Sequence, residues 1–413
     1  MKAAAGAGVL SAARMRGPFR WLAGAMLVAL TLTACSSGGR ASGSDRGPAR
    51  AASEPVRVDQ IPGSPAENVA SALTNPAAKN LPRPLVDVGR LISGGPPPDG
   101  IPSINEPKFD RAGDVDYLAS REPVLALELG GVARAYPVQV LIWHEIVIDT
   151  VGGIPVVVSY CPLCNSALAF DRRAAGRVLT FGVSGRLYNS DLVMFDRQTR
   201  SLWPQLEGRA VAGVLTGTRL RAYPVQTVPW AEWRDEHPDG LVLNRDTGYD
   251  RAYGRNPYTA YDRPDTKPFL LDVDPDGRLP AKARVVGLGQ GRDAVAVATD
   301  RLLRDGTLEL AVGGSTVVLF AQPGQSSALD QASIAAGRDV GVTGAFSPLL
   351  GGRHLTFVRQ NGAFVDEQTA TAWSVLGRAE RGPLTGSRLR AVTFVDTFWF
   401  AWALFQPATR IVR

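Results

Sequence analysis

The sequence predicts a mainly β protein with short helices (α+β), built from two pseudo-twofold-related repeats of hairpin-helix-hairpin type. Two observations predict it. Adding 161 to the residue number lays Val124–Leu168 onto Val285–Leu329 without a gap, matching Leu127 with Leu288, Gly152-Gly153 with Gly313-Gly314, Pro162 with Pro323 and Ser166-Ala167-Leu168 with Ser327-Ala328-Leu329. Self-similarity at a fixed offset marks a duplicated structural unit. The series continues in order, with Leu179-Thr180-Phe181 recurring as Leu355-Thr356-Phe357, and Gln198-Thr199 with Trp203 recurring as Gln368-Thr369 with Trp373. The second observation is local. In the first copy Val124–Leu129 and Val132–Tyr136 flank Gly130-Gly131, and Ile146–Val151 and Ile154–Tyr160 flank Gly152-Gly153. Paired glycines supply the positive φ angles of two-residue hairpin turns between β-branched runs. Pro137–His144, between the hairpins, suits one or two helical turns with proline at the start.

The elements follow in order. Residues 1–34 read as a lipoprotein signal peptide: basic residues Lys2, Arg14, Arg16 and Arg20, an apolar run from Trp21, then Leu32-Thr33-Ala34-Cys35. Cys35 is the expected lipid acceptor, and the run falls short of the roughly 20 apolar residues that span a bilayer. This places the protein on the extracytoplasmic side of the envelope, attached to the membrane by its lipid. Residues 35–80 contain the lipidated cysteine and a flexible tether rich in Ser, Gly, Ala and Arg. Residues 81–245 form the first repeat, 246–280 a connecting segment rich in Asp, Arg, Tyr and Pro that is expected as a surface loop, and 281–413 the second, degenerate repeat. The run Phe398–Phe405 is too short to cross a membrane and reads as core.

Charge excludes one class of function. The formal net charge of +6 includes the four basic side chains of residues 1–34, which hold no acidic ones, so the mature chain lies near +2 with both signs interspersed. No basic patch supports nucleic-acid binding. No Walker loop, GxSxG elbow or HExxH motif is present, so no nucleotide cofactor is expected.

Residues shared by the copies are explained as scaffold; residues in one copy only are candidates for a site. At the 161 offset His144 faces Asp305, Cys161 faces Gln322 and Cys164 faces Gln325. From Phe181 to Asp196 is 15 steps, whereas Phe357 to Asp366 is 9, so the first copy carries six extra residues around Asn189, Ser190 and Asp191. An expanded polar loop is a common wall of a site, although loops also tolerate neutral insertions.

Several motifs carry a resemblance: Trp143-His144-Glu145, Tyr160-Cys161-Pro162-Leu163-Cys164, Phe181-Gly182-Val183-Ser184-Gly185, Asn189-Ser190-Asp191, Asp196-Arg197-Gln198-Thr199, Ser201-Leu202-Trp203 and Phe398-Trp399-Phe400-Ala401-Trp402. With these the chain resembles the bacterial and archaeal family designated domain of unknown function 3179, from about Arg83 to the C-terminus. Asn165 stands where the family has glycine and Ile148 where it has asparagine. The resemblance implies no established activity, so function is argued from the site.

Chain reversal at Gly152-Gly153 is expected to bring His144 close to Cys161, and a CxxC offers two thiolates at chelating spacing. The leading expectation is a metal site of His144, Cys161 and Cys164 with Met194 as a thioether fourth ligand, a set that favours copper; zinc would take Asp191 or water there. Taken alone, Met194 reads more readily as a core side chain than as a ligand. Two other readings stay open for the pair: a thiol-disulfide oxidoreductase couple, and a static disulfide or buried thiols in a binding module without chemistry. Whether the protein is an enzyme is open. His237, at a polar helix end, and His354, opposite Val178 in the other copy, have no evident partners.

Overall fold

A computed structural model describes residues 71–413 apart from residue 265. Residues 1–70, with the expected signal peptide, the expected lipid acceptor Cys35 and most of the expected tether, lie outside the described residues. The chain is mainly β with a few short helices, its strands distributed over several sheets.

In the first half β1 (Pro123–Leu129) and β2 (Val132–Pro137) form an antiparallel hairpin in which Leu129 pairs with Val132. The helix α1 (Val138–His144) follows at once, with Pro137 at its N-cap. A second hairpin joins β3 (Ile146–Val151) to β4 (Ile154–Cys161). Both turns use the paired glycines at positive φ, +55° at Gly152 and +77° at Gly153. The turns also pack together: a Cβ on Gly152 would lie 2.3 Å from the Leu129 carbonyl oxygen, so no side chain fits. Next, β5 (Ser166–Asp171) pairs with β4, and β6 (Phe181–Tyr188), β7 (Asp191–Asp196) and β8 (Leu202–Pro204) form a separate antiparallel sheet. The chain returns through β9 (Gln226–Pro229), α2 (Trp230–Glu236) and β10 (Leu241–Leu243), giving the order β9-β1-β2-β10 with β10 parallel to β2.

The second half uses the same vocabulary. Its strands β11 (Arg284–Leu288) and β12 (Val295–Ala298) lead into α3 (Thr299–Asp305), β13 (Thr307–Val312) and β14 (Ser315–Gln322). The last three begin and end 161 residues after α1, β3 and β4. Following β15 (Val342–Phe346), the sheet of β16 (Phe357–Gln360), β17 (Ala363–Asp366) and β18 (Ala372–Trp373) precedes β19 (Val395–Phe398), α4 (Trp399–Phe405) and β20 (Arg410–Val412). The order β19-β11-β12-β20, with β20 parallel to β12, repeats that of the first half. A side-chain network recurs too: the Trp203 indole donates to Asp196 at 3.0 Å, and the Trp373 indole donates to Asp366 at 3.0 Å.

One apolar core joins residues of both halves, with Val147, Val157 and Leu168 clustering with Phe398, Trp399 and Trp402. The Phe398–Phe405 run is therefore core, as its sequence reads. No helix among the described residues is long and apolar enough to cross a membrane. The connecting segment runs largely over the surface, as expected of it, with most of its described residues exposed. It carries no helix or strand among its described residues, yet Tyr253, Tyr258 and Tyr261 pack against the shared core. Asp262 is buried there, paired with Arg338 at 2.8 Å. These half-buried aromatic side chains tie the surface segment to the core.

Candidate metal centre

The CxxC motif is the loop of a tight hairpin. Cys161 ends β4 and pairs with Ser166 at the start of β5, so Pro162 to Asn165 make the turn. Asn165 lies at φ +52°, the left-handed conformation that glycine adopts freely and asparagine tolerates. Its side-chain oxygen accepts a hydrogen bond from the Tyr160 hydroxyl at 3.1 Å. The second half clamps the turn: the Cys164 carbonyl accepts from the Thr397 hydroxyl at 2.8 Å and from the Phe398 N–H at 2.9 Å. From the connecting segment, the Tyr261 hydroxyl donates to the Leu163 carbonyl at 3.1 Å.

The expanded loop of the first half forms the facing wall. Asn189 and Ser190, at φ +55° and +63°, make the two-residue turn between β6 and β7. A β-turn with two successive left-handed non-glycine residues is strained, and such strain persists only where surroundings enforce it. Here Arg90 donates to the Asn189 side chain, and the Ser190 hydroxyl donates to the Phe269 carbonyl at 2.5 Å. The turn delivers Asp191 into the interior, where its two oxygens have different partners: one accepts from the Cys164 thiol at 3.5 Å, the other from the Leu206 N–H at 3.0 Å.

Cys161, Cys164 and Asp191 thus converge, with one donor atom from each lying within 4.8 Å of the other two. Both cysteines are free thiols, 1% and 0% exposed. His144 does not join them. Its Nδ1 lies 2.7 Å from the Pro102 carbonyl oxygen and its Nε2 2.7 Å from the Tyr253 hydroxyl, so both ring nitrogens are engaged elsewhere. Met194 lies three positions along β7 from Asp191, so strand alternation turns it to the opposite face, within the apolar core. His354 makes a surface pair with Glu309 at 2.9 Å.

The electrostatics of the three acidic groups are set first by burial and then by one another. Burial, and then the nearby Cys161 sulfur and the Asp191 charge, push the Cys164 thiol well above its ordinary range. Burial raises the Asp191 carboxyl to about 8. Glu145, which caps α1 at φ +58°, is raised to about 8 by burial and by the Asp191 charge. Sequence reasoning passed over Glu145 and the tyrosines Tyr258 and Tyr261; the signal was present in the Tyr-rich composition of the connecting segment, but nothing in the one-dimensional pattern folds it back onto the cysteines.

A pH dependence follows. In the metal-free native protein these two carboxyls hold their protons up to about pH 8, whereas unfolded carboxyls lose them near pH 4. The native state binds more protons inside that window, so stability falls as pH rises through it, by up to about 1.4 kcal/mol per pH unit for each carboxyl. Urea unfolding of metal-free protein at about pH 5 and about pH 7.5 measures the slope. Asp191→Asn is expected to reduce it, and an unchanged slope would place the linkage elsewhere.

These features define a mainly β protein with a buried dithiol-carboxylate cluster. The chain belongs to the protein family of unknown function DUF3179, whose profile matches residues 98–409. No curated protein and no solved structure matches it.

Proposed function

We propose that the protein is an envelope-anchored lipoprotein that holds one metal ion through Cys161, Cys164 and Asp191 and acts in metal handling. The observation that carries this is the convergence of three buried acidic donors within 4.8 Å. Buried groups that repel one another when ionised gain strongly from a divalent ion. A carboxylate in place of the thioether turns the preference from copper to zinc, since thiolates with a hard oxygen suit zinc better than copper(I). Three protein donors leave a fourth position for water, the arrangement of an exchangeable or reactive ion. The matching element order of the two halves supports descent from a duplicated unit, with the site kept in the first copy and Gln322 and Gln325 in the second.

A second reading has one observation in its favour. The Cys164 thiol lies 3.5 Å from the Asp191 carboxyl, which once ionised above about pH 8 could take its proton, as disulfide exchange requires. The burial of both sulfurs weighs against it, because a partner disulfide must reach the attacking one.

Titration of the purified protein with zinc against a chromophoric chelator separates the readings. Metal binding predicts one equivalent bound, and a loss of about a thousandfold in affinity, about 4 kcal/mol, in Cys161→Ser or Cys164→Ser. Absence of binding, with a disulfide opened by mild reductant, establishes the redox couple instead. The anchor has its own test: fatty-acid labelling is expected to vanish in Cys35→Ala.

A further inference from the structure

The connecting segment covers the cysteine cluster. Both sulfurs are buried, so an ion or a thiol reagent reaches them only when part of the protein moves. One backbone unit ties together the two turns that build the cluster. The Phe269 carbonyl accepts from the hydroxyl of Ser190, in the turn that delivers Asp191, at 2.5 Å. The Phe269 N–H donates to the Tyr261 hydroxyl at 3.1 Å, and that hydroxyl donates to the Leu163 carbonyl, inside the CxxC turn, at 3.1 Å. Ser190 in turn lies directly on the cluster, its carbonyl oxygen 3.5 Å from the Cys164 sulfur. Phe269 and then Ser190 therefore stand between solvent and that sulfur along this line.

The strap is fixed at its root and weakly held at its tip. Buried Lys282 donates to the Tyr261 carbonyl at 2.6 Å and to the Thr266 hydroxyl at 2.8 Å, which anchors the root. Beyond Thr266 the chain forms no helix or strand before β11. Phe269 is 51% and Leu270 39% exposed, and of the tip's large apolar side chains only Leu271 packs against the core. The Asp272–Arg90 pair at 3.3 Å is partly exposed and adds little. Leu270 sits at φ +47°, a left-handed conformation strained for leucine, and the turn its neighbour Phe269 bonds to, Asn189-Ser190, is left-handed as well. Segments with few buried apolar contacts and stored backbone strain are the ones that open locally while the rest stays folded.

We infer that residues 267–272 are the gate of the dithiol cluster: breaking the two Phe269 hydrogen bonds lifts the strap, frees the Asn189-Ser190 turn and admits an ion or thiol reagent to Cys164 without global unfolding. The inference deepens the reading of the cysteines as an exchangeable site. Its test uses metal-free protein, so that absence of metal binding and absence of a gate are separate outcomes.

Iodoacetamide at about pH 8, where opened thiols ionise, labels the metal-free protein, and mass spectrometry follows the peptide carrying Cys161 and Cys164 as urea is raised. The labelling rate is expected to rise with urea far less steeply than global unfolding does, because a local opening exposes little surface. Tyr261→Phe, which removes both bonds of the hydroxyl, is expected to speed labelling at least about tenfold, and Ser190→Ala about fivefold, the effect of one neutral hydrogen bond. Asp366→Ala, which destabilises the fold outside the strap and its partners, is expected to leave the rate within about twofold. A urea slope equal to that of global unfolding, labelling sped by Asp366→Ala as much as by Tyr261→Phe, or unchanged rates in both Tyr261→Phe and Ser190→Ala overturns the gate. Should Tyr261→Phe fail to fold, Ser190→Ala and the urea slope still decide the outcome.

Discussion

Asp191→Ala is expected to weaken zinc binding by at least about a hundredfold, while Met194→Leu and His144→Phe leave it within about threefold. Removing a carboxylate from a three-donor set takes away one metal bond and leaves the ion with two sulfurs and water, a loss of about 3 kcal/mol or more. Met194 lies on the far face of β7 and His144 spends both nitrogens on Pro102 and Tyr253. His144→Phe is expected to affect stability through those lost hydrogen bonds, not metal affinity. Chelator competition on the three variants measures the difference. Loss of binding in His144→Phe with full retention in Asp191→Ala would restore the histidine ligand set.

Asp196→Ala and Asp366→Ala are each expected to destabilise the protein by about 3–5 kcal/mol. The Asp196 carboxylate is buried and accepts from the Thr199 N–H at 2.6 Å, the Thr199 hydroxyl at 2.8 Å, the Ser201 N–H at 3.2 Å and the Trp203 indole at 3.0 Å. Asp366 does the same for Thr369 and Trp373. Alanine leaves these donors buried without an acceptor, each carrying a desolvation penalty. Denaturant unfolding tests both. Effects below about 1 kcal/mol in either variant would mean that water replaces the carboxylate. Unequal losses in the two would show that the halves depend on these networks to different degrees.

The hairpins were legible because their signals are local. Gly130-Gly131 and Gly152-Gly153 mark turns that need positive φ, and the β-branched runs beside them became β1 to β4 within about a residue of their expected ends. The cysteines and the Asn189–Asp191 turn were legible by comparing the two halves of the sequence at the 161 offset, since neither has a counterpart in the second half. The choice of third donor was not legible. Both residues are buried; which of Asp191 and Met194 shares the face of the cysteines depends on where β7 begins after a turn of two left-handed residues, and a shift of one position exchanges the faces of a strand. The position of His144 was missed for a related reason. Hairpin closure brings the backbones together, and Tyr160 N–H does donate to the Glu145 carbonyl at 2.8 Å, but the His144 ring is drawn to Pro102 and Tyr253, residues 42 and 109 positions away. Contacts of that range leave no periodic trace.

X-ray absorption at the zinc edge, on protein loaded with one equivalent, tests the central claim most directly. Two sulfur neighbours at about 2.3 Å with oxygen neighbours at about 2.0–2.2 Å, and no outer-shell imidazole scattering, are the predicted result. A shell of nitrogen and oxygen without sulfur, or a clear imidazole contribution, would contradict the assignment of Cys161, Cys164 and Asp191 as the metal's ligands.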